Sequence, residues 1–240
     1  MILERIDARS LQARVYHRLK QAMMSGAFEP GQVLIIRELA EQLGVSPMPV
    51  RQSLHRLVSE HALVEEDKAR ASVLVPQLSD VTFEELRAAR VLVEGEAAAL
   101  AAARADKTTM VRLRKLDSAL IKAISAKDVA GAIDSNYEFH FALYAGARST
   151  ILLRIIESLW LQSGPYFRVL IKAAFEKLGE PFAALRSNEL VLKALEEGDG
   201  AAARAALADD INSAAAFYRS IPGRNVAGAP RRRGAKPLQP

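Results

Sequence analysis

The sequence predicts a mostly α-helical protein, in which three helices and a β-hairpin precede an all-α bundle of six helices. Residues 38–61 form two short apolar-periodic runs separated by a single glycine, and "ALVEEDKARASVLV" is typical of two strands about a polar turn. From Val81 almost to Ile221 the chain is alanine-rich and helical in pattern. The predicted units are an N-terminal domain at 1–75, a linker at 76–80, a helical domain at 81–221 and a disordered basic tail at 222–240.

Composition limits the class of protein. The 240 residues include no cysteine, which excludes a disulfide framework, thiolate catalysis and cysteine zinc sites. No apolar run approaches the ~20 residues that cross a bilayer, and no signal peptide opens the chain. We therefore expect a cytoplasmic protein without a membrane partner.

The net charge of +5 is concentrated at the C-terminus. Residues 1–75 carry ten Lys or Arg against nine Asp or Glu, residues 76–221 carry eighteen against nineteen, and residues 222–240 carry five against none. Because the tail is rich in proline and glycine and poor in large apolar residues, it cannot bury enough surface to order itself. We expect it to add nonspecific attraction to a polyanion, and a merely solvated chain end is the alternative.

The second and third helices have clear sequence signals at their ends. Gly44 suits the left-handed residue that ends a helix. Ser46 can cap the next helix, with Pro47 at its first position. The apolar stripe predicted to face the core contains Val50, Leu54, Leu57 and Val58.

The third helix presents a polar face that has no carboxylate before Glu60. In a helix-turn-helix the second helix of the motif enters the major groove, where arginine can pair with guanine and glutamine with adenine. The N–H groups of the first turn, after Ser46, can also hold a phosphate. We therefore predict a double-stranded DNA operator as the partner, with an ordinary solvated helix face as the alternative. The residues that share this face are Met48, Arg51, Gln52 and His55.

The stretch "LKQAMMSGAFEPGQVLIIRELAEQLGVSPMPVRQSLHRLVSEHALV" resembles the GntR-type winged-helix regulators. Their pattern is a helix, then G-x-(F/L)-x-P-G, then R-E-L-A-x-x-L-G-V-S-x-x-P-V-R-x-x-L, and the match covers residues 15–75. The resemblance implies DNA contacts by Arg37 and Arg51.

The match departs from the family pattern at three places, one of which is the wing turn "EDKARA", where the usual glycine is absent. Pro47 stands where the family has a further DNA-contacting arginine, so that contact is lost. His61 stands where the family has a glycine before the wing. Lys68 and Arg70 in the wing turn are expected to reach phosphate or the minor groove.

Residues 80–220 resemble the helical, FCD-type effector domain of the FadR-type subgroup, in its shorter VanR-like variety. The segments that carry this resemblance are "ELRAARVLVEGEAAALAAA", "NYEFHFALYAGA" and "SNELVLKALEEGDGAAARAALADDI". The resemblance implies a homodimer that binds a small organic-acid effector.

Many such domains hold a divalent metal through one carboxylate and three histidines. The matching positions here are Asn136, His140, Asn188 and Asp210, of which only His140 is unchanged. Neutral amides are poor ligands for zinc or nickel, so we do not expect a transition metal, and the identity of any cofactor stays open. The same four residues are expected to line the effector site, although His140 can equally be a core histidine.

Arg90 matches a family arginine that helps to hold a carboxylate effector, and a guanidinium suits bidentate carboxylate recognition. The alternative is a plain ion pair between Arg90 and Glu94 along the helix.

The sequence therefore predicts a homodimeric, effector-controlled transcription regulator, with repressor preferred to activator on family grounds alone. One alternative is a constitutive DNA-binding regulator whose effector site has decayed. A metal-assisted hydrolase is the other, and it has little support. His140 is the only histidine beyond residue 61, and neither a glycine-rich phosphate loop nor a nucleophile elbow is present. We expect the protein not to be an enzyme.

Overall fold

The computed structural model describes residues 8–67, 72–177 and 186–222. Within these residues the chain forms nine helices and one three-stranded sheet, which agrees with the predicted fold class. The predicted tail beyond residue 222, and Lys68 and Arg70 of the wing turn, lie outside the described residues.

The N-terminal elements build three helices around a small sheet. The predicted hairpin is present, and the sheet gains an unpredicted third strand at its edge, because a short strand after the Pro30-Gly31 turn also pairs with the second hairpin strand. Three residues are too few to show an alternating pattern, so this strand gave no sequence signal. The elements are α1 (Ala8–Met24), β1 (Val33–Ile35), α2 (Ile36–Leu43), α3 (Pro47–Ser59), β2 (Val64–Asp67) and β3 (Ser72–Leu74).

The sheet has the order β1-β3-β2, and both pairings are antiparallel. Leu34 lies opposite Val73, and Val64 lies opposite Leu74. A further backbone hydrogen bond holds the edge strand β1 against β3. The Gly31 N–H, just before β1, donates to the Val75 carbonyl, just after β3, at 2.9 Å.

The helix-turn-helix forms as its sequence signals predict. Gly44 ends α2 in the left-handed conformation, at φ 63°. The side chains of Val50, Leu54 and Leu57 are buried, and Val58 is half-buried against the same core. The 3.6-residue period of α3 therefore leaves its opposite face to solvent.

The C-terminal region is a helical bundle arranged around α4, which packs against α6, α7, α8 and α9. Side chains of Ser79, Asp106, Asp128 and Asp199 cap the starts of α4, α5, α6 and α9, each accepting a bond from a backbone N–H three residues on. None of the described helices is long and apolar enough to cross a membrane. The bundle helices are α4 (Asp80–Ala102), α5 (Lys107–Ser125), α6 (Val129–Gly146), α7 (Thr150–Lys177), α8 (Arg186–Glu197) and α9 (Gly200–Ser220).

One hydrophobic core runs from the N-terminal helices into the bundle, because α1 packs directly on α7. Two ion pairs flank this contact: Lys20 Nζ lies 2.7 Å from Glu157, and Lys172 Nζ lies 2.5 Å from Glu29. The N-terminal elements and the bundle therefore pack directly against each other.

The α1–α7 contact is a close backbone approach at Gly164. A Cβ on Gly164 would lie 2.6 Å from the Met24 carbonyl oxygen and closer still to that of Met23. Since backbone atoms cannot turn aside as side chains do, only glycine fits this position without separating the helices.

We predict that Gly164→Ala destabilises the protein by about 1–3 kcal/mol or more, because the added methyl overpacks the α1–α7 contact. The expected result is a lower midpoint in thermal or denaturant unfolding. Gly95→Ala is the matched control, since Gly95 is also helical and its added Cβ meets mainly the side chain of Arg204, at 3.0 Å. Alanine is a better helix former than glycine, and the Arg204 side chain can shift where a backbone carbonyl cannot, so the control should cost much less stability than Gly164→Ala. Equal effects of the two substitutions would contradict the close approach.

Candidate nucleic-acid interface and buried polar network

The outer face of α3 is exposed to solvent and is polar apart from Met48. Met48 is 60% exposed, and Arg51, Gln52 and His55 are exposed beside it. The structure thus brings together the four residues that the sequence placed on one face. No carboxylate belongs to this face of α3, because the helix contains no acidic residue.

The start of α3 differs in one respect from the expectation. Ser46 has the extended backbone of a capping residue, but its side chain accepts no capping bond, so the predicted side-chain cap is wrong. Pro47 and Pro49 occupy the first turn and have no N–H. Fewer backbone donors therefore remain for a phosphate than an ordinary helix start offers, and the exposed Ser46 hydroxyl stays on the surface.

Of the other predicted DNA contacts, the structure describes Arg37. Arg37 is exposed at the second position of α2. His55 Nδ1 lies 3.8 Å from Glu65 Oε1 on β2, so the recognition face borders the wing strand. The positions of Lys68 and Arg70 are outside the described residues, and their wing contacts stay a prediction.

A polar cluster behind α3, which the sequence did not predict, fixes this helix on α1. Tyr16 Oη lies 2.7 and 2.8 Å from the two carboxylate oxygens of Glu60 and donates to them. The Arg56 guanidinium lies 3.7 Å from the centre of the Tyr16 ring, and its Nε donates to Glu60 at 3.0 Å. Burial, with the Glu60 carboxylate, raises the pKa of Tyr16 well above its usual value. A one-turn spacing of Arg56 and Glu60 was the only available sequence signal.

The bundle interior contains a buried ion pair between two residues of α4. Arg90 Nε and Nη2 donate to the two carboxylate oxygens of Glu94, at 2.6 and 3.2 Å, and Glu94 is 0% exposed. The guanidinium also lies over the rings of Trp160 and Phe167, at 5.1 and 5.9 Å from their centres. The ion-pair alternative for Arg90 is therefore the arrangement that the structure shows.

The pair continues into a polar network that reaches α6 and α9. Tyr144 Oη donates to Glu94 and lies 3.1 Å from His140 Nδ1, while His140 Nε2 lies 3.7 Å from Asp210 Oδ2. Burial and the nearby Arg90 cation lower the pKa of His140 to about 3. The imidazole is therefore neutral at neutral pH, and its approach to Asp210 is not an ion pair.

Arg90 and Tyr144 both keep their protons in this network. Burial acts to lower the pKa of the Arg90 guanidinium, but the Glu94 carboxylate outweighs it and holds that pKa above its usual value. Burial, with the same carboxylate, raises the pKa of Tyr144 well above its usual range. The network therefore contains the Arg90 cation and a phenol that keeps its proton, beside the carboxylates of Glu94 and Asp210.

The predicted effector and metal residues are only partly brought together. Arg90, His140 and Asp210 join one network, whereas the buried Asn188 amide donates to Asp117 Oδ1 on α5 at 3.2 Å. Asn136 is buried on α6, one turn before His140.

This donor set does not fit the metal site that the family resemblance implies. Two of its four positions offer only amide oxygens, and the Asn188 amide is turned to a carboxylate partner. Across residues 8–67, 72–177 and 186–222, no three His, Cys, Asp or Glu side chains form a group that could hold a metal ion.

A cavity of about 40 Å³ lies between α4, α7 and α9, and Arg90 is the only predicted effector residue on its wall. Its lining includes the aromatic residues Phe83, Tyr166, Phe167 and Tyr218. Nothing in the sequence indicated this cavity, because most of the residues that line it are apolar core positions on three separate helices.

Two known protein families match separate parts of the chain. Residues 11–73 match the bacterial regulatory proteins of the gntR family, and residues 85–213 match the FCD domain.

Known proteins resemble the chain over most of its length. It is 34% identical over 201 residues to the HTH-type transcriptional regulator McbR of Escherichia coli (strain K12), covering 83% of this chain and 89% of that protein. A solved structure of E. coli McbR/YncC matches with a TM-score of 0.78 and 31% identity, over 88% of this chain and 97% of that chain. A putative GntR regulator from Rhodococcus sp. RHA1 shares the fold, with a TM-score of 0.69 at 24% identity, over 88% and 98% of the two chains. The chain therefore belongs to the GntR family, as a transcriptional regulator in which a gntR-type helix-turn-helix precedes an FCD domain.

Proposed function

We propose that the protein is a dimeric operator-binding regulator, with repression preferred to activation, whose DNA binding is controlled by a small molecule in the FCD domain. The observation that carries this proposal is the exposed, carboxylate-free face of α3. In this reading Arg51 and Gln52 contact base edges, while Arg37 and Ser46 contact phosphates. The protein has no catalytic role in this proposal.

A dimer is proposed because a pseudo-palindromic operator needs two recognition helices related by two-fold symmetry. The neighbouring helices α4 and α8 each expose a large apolar side chain, Leu92 and Leu190, which supports an apolar contact with a second copy.

Control by a small molecule is supported by the position of α7. This helix packs against α1 of the DNA-binding region, and its Tyr166 hydroxyl accepts a 2.6 Å bond from the Leu78 N–H of the predicted linker. The same helix places Trp160 and Phe167 beneath Arg90 in the bundle interior. A ligand that shifts α7 would therefore act on the placement of the recognition helices.

The predicted organic-acid effector would have to compete for Arg90, since Glu94 already occupies that guanidinium as a bidentate partner. The Arg90 guanidinium is therefore already paired, and most of the metal ligands that the family resemblance implies are substituted. Both observations favour a second candidate function, a constitutive operator-binding regulator without a responsive effector site. Fragments of genomic DNA retained by the purified protein would supply the operator on which both candidates are tested.

We predict that Arg51→Ala weakens binding to the operator by about 1–3 kcal/mol and binding to random DNA much less, because a base contact is lost. The measurement is a fluorescence-anisotropy titration with both DNAs at fixed salt. Arg112→Ala is the matched control, since Arg112 is an exposed arginine on α5, which packs on α6 and α8. An equal loss on both DNAs would reduce Arg51 to a phosphate contact.

Deletion of residues 223–240 should weaken nonspecific DNA binding and make the salt dependence shallower, while the preference for the operator over random DNA is kept. The five Lys and Arg of the deleted tail would release counterions on contact with phosphates, at about 0.9 in slope per phosphate neutralised. The slope of log K against log salt, compared with that of the full chain, is the readout. If the slope does not change, the tail makes no contact with DNA.

Protein purified without a metal-affinity step should contain well under one equivalent of zinc or nickel per chain. The reason is the ligand chemistry of Asn136 and Asn188, whose amides bind borderline-soft cations weakly. Elemental analysis of the purified chain is the measurement, and one bound transition metal per chain would contradict the prediction.

A further inference from the structure

The cavity between α4, α7 and α9 lies beside the buried ion pair of Arg90 and Glu94, since Arg90 is part of its wall. Its volume is about 40 Å³, it is partly open to solvent, and aromatic rings form much of its lining. A single water needs about 10–15 Å³, so the space admits about three such groups, such as the end of a small molecule.

The cavity wall contains a buried polar group without a partner. Ser163 lines the cavity and is 5% exposed, and its Oγ has no hydrogen-bond partner among the described residues. A buried hydroxyl that makes no hydrogen bond costs about 1–3 kcal/mol, so such a group calls for a partner. A hydrogen-bonding ligand in the cavity would supply one.

The charges around the cavity decide which class of ligand fits. The two arginines of the wall are both paired, Arg87 with Glu84 at 2.7 Å and Arg90 with Glu94. Among these residues and their charged neighbours, three cations balance three carboxylates. These six residues are Arg87, Arg90, Arg219, Glu84, Glu94 and Asp210.

A carboxylate ligand would therefore add a negative charge that no group of this set compensates, in a partly desolvated site. If it displaced Glu94 from Arg90, it would leave a fully buried carboxylate without its cation. An uncharged ligand keeps both ion pairs intact.

We propose that this cavity binds a small uncharged molecule through a carbonyl or amide group that hydrogen-bonds the Ser163 hydroxyl, with its apolar part against the aromatic wall. The proposal rests on the proposed control of the regulator by a small molecule, and it replaces the acid by an uncharged ligand. Phe83 and Tyr218 stack at 4.9 Å between ring centres and form part of that wall.

The same wall connects the cavity to the linker. Tyr166 lines the cavity, and its hydroxyl accepts the Leu78 N–H bond and lies 3.4 Å from the Pro76 carbonyl oxygen. A ligand that moves the Tyr166 ring therefore changes a hydrogen bond at the junction with the DNA-binding region.

Trp160 gives a direct readout of binding, because it is the only tryptophan in the chain and stacks on Phe167 of the cavity wall, at 5.5 Å and 14°. The full-length protein is titrated with propanamide and, separately, with propanoate, which have the same shape but differ in charge. We expect saturable changes in fluorescence and a rise in melting temperature with propanamide, and at least tenfold weaker binding of propanoate. Absence of saturable propanamide binding, or equal binding of the two, would overturn the proposal.

Ser163→Ala separates a ligand contact from a structural role. The variant should melt at a higher temperature without ligand, since an unpaired buried hydroxyl is removed, yet bind propanamide about 2- to 12-fold more weakly. Ser158→Ala on the exposed face of the same helix is the matched control and should change neither quantity. If Ser163→Ala binds propanamide as tightly as the parent protein, the hydroxyl is not part of a ligand site.

Operator binding is measured in parallel, so that the two proposals can fail separately. Fluorescence binding without DNA tests the cavity alone, whereas Arg51→Ala tests the recognition helix alone. With Tyr166→Phe we expect propanamide still to bind, while its effect on operator affinity falls because the linker bond is lost. An unchanged effect in this variant would overturn the transmission through Tyr166, and no effect in the parent protein would overturn control of DNA binding from this cavity.

Discussion

The bundle is organised around the buried ion pair between Arg90 and Glu94. Breaking a buried pair by removing one partner typically costs about 3–5 kcal/mol, because the remaining charge is left without compensation. The neighbouring helices add contacts to both charges. The Tyr144 hydroxyl of α6 donates to Glu94, and the Trp160 ring of α7 lies beneath Arg90. Three helices are thus fixed relative to one another by one polar contact that admits little displacement.

The Arg90–Glu94 pair also limits the classes of ligand that the domain can bind. In a site where the arginine has no carboxylate partner of its own, an acidic ligand can form a bidentate pair with it at little cost. Here Glu94 already fills that role from within the chain, and His140 is kept neutral by burial and the Arg90 cation. The guanidinium that the family resemblance assigns to effector binding is therefore already paired, and the uncharged ligand that we propose leaves both charges undisturbed.

Helix α7 is the physical connection between this interior and the DNA-binding region. Toward the bundle it presents Trp160, and toward α1 it presents Gly164, where the two backbones are in direct contact. A helix in close backbone contact transmits displacement rather than absorbing it, since packed interiors change between discrete arrangements. The ion pair of Lys20 with Glu157 adds an electrostatic contact that any rearrangement must break or keep.

The sequence by itself determined the features that local physics decides. The left-handed glycine at 44, the apolar stripe of α3 and its carboxylate-free outer face all follow from periodicity and turn chemistry, and the structure confirms the geometry of each. The strand β1 escaped prediction because its partner, β3, lies about 40 residues away and three residues carry no period. Only the tertiary structure decided that the Arg90–Glu94 pair is buried beside Trp160 and Tyr144, that the Asn188 amide donates to Asp117, and that Ser163 lines a cavity. Each of these outcomes depends on which side chains of distant helices meet, and a single sequence does not contain those distances.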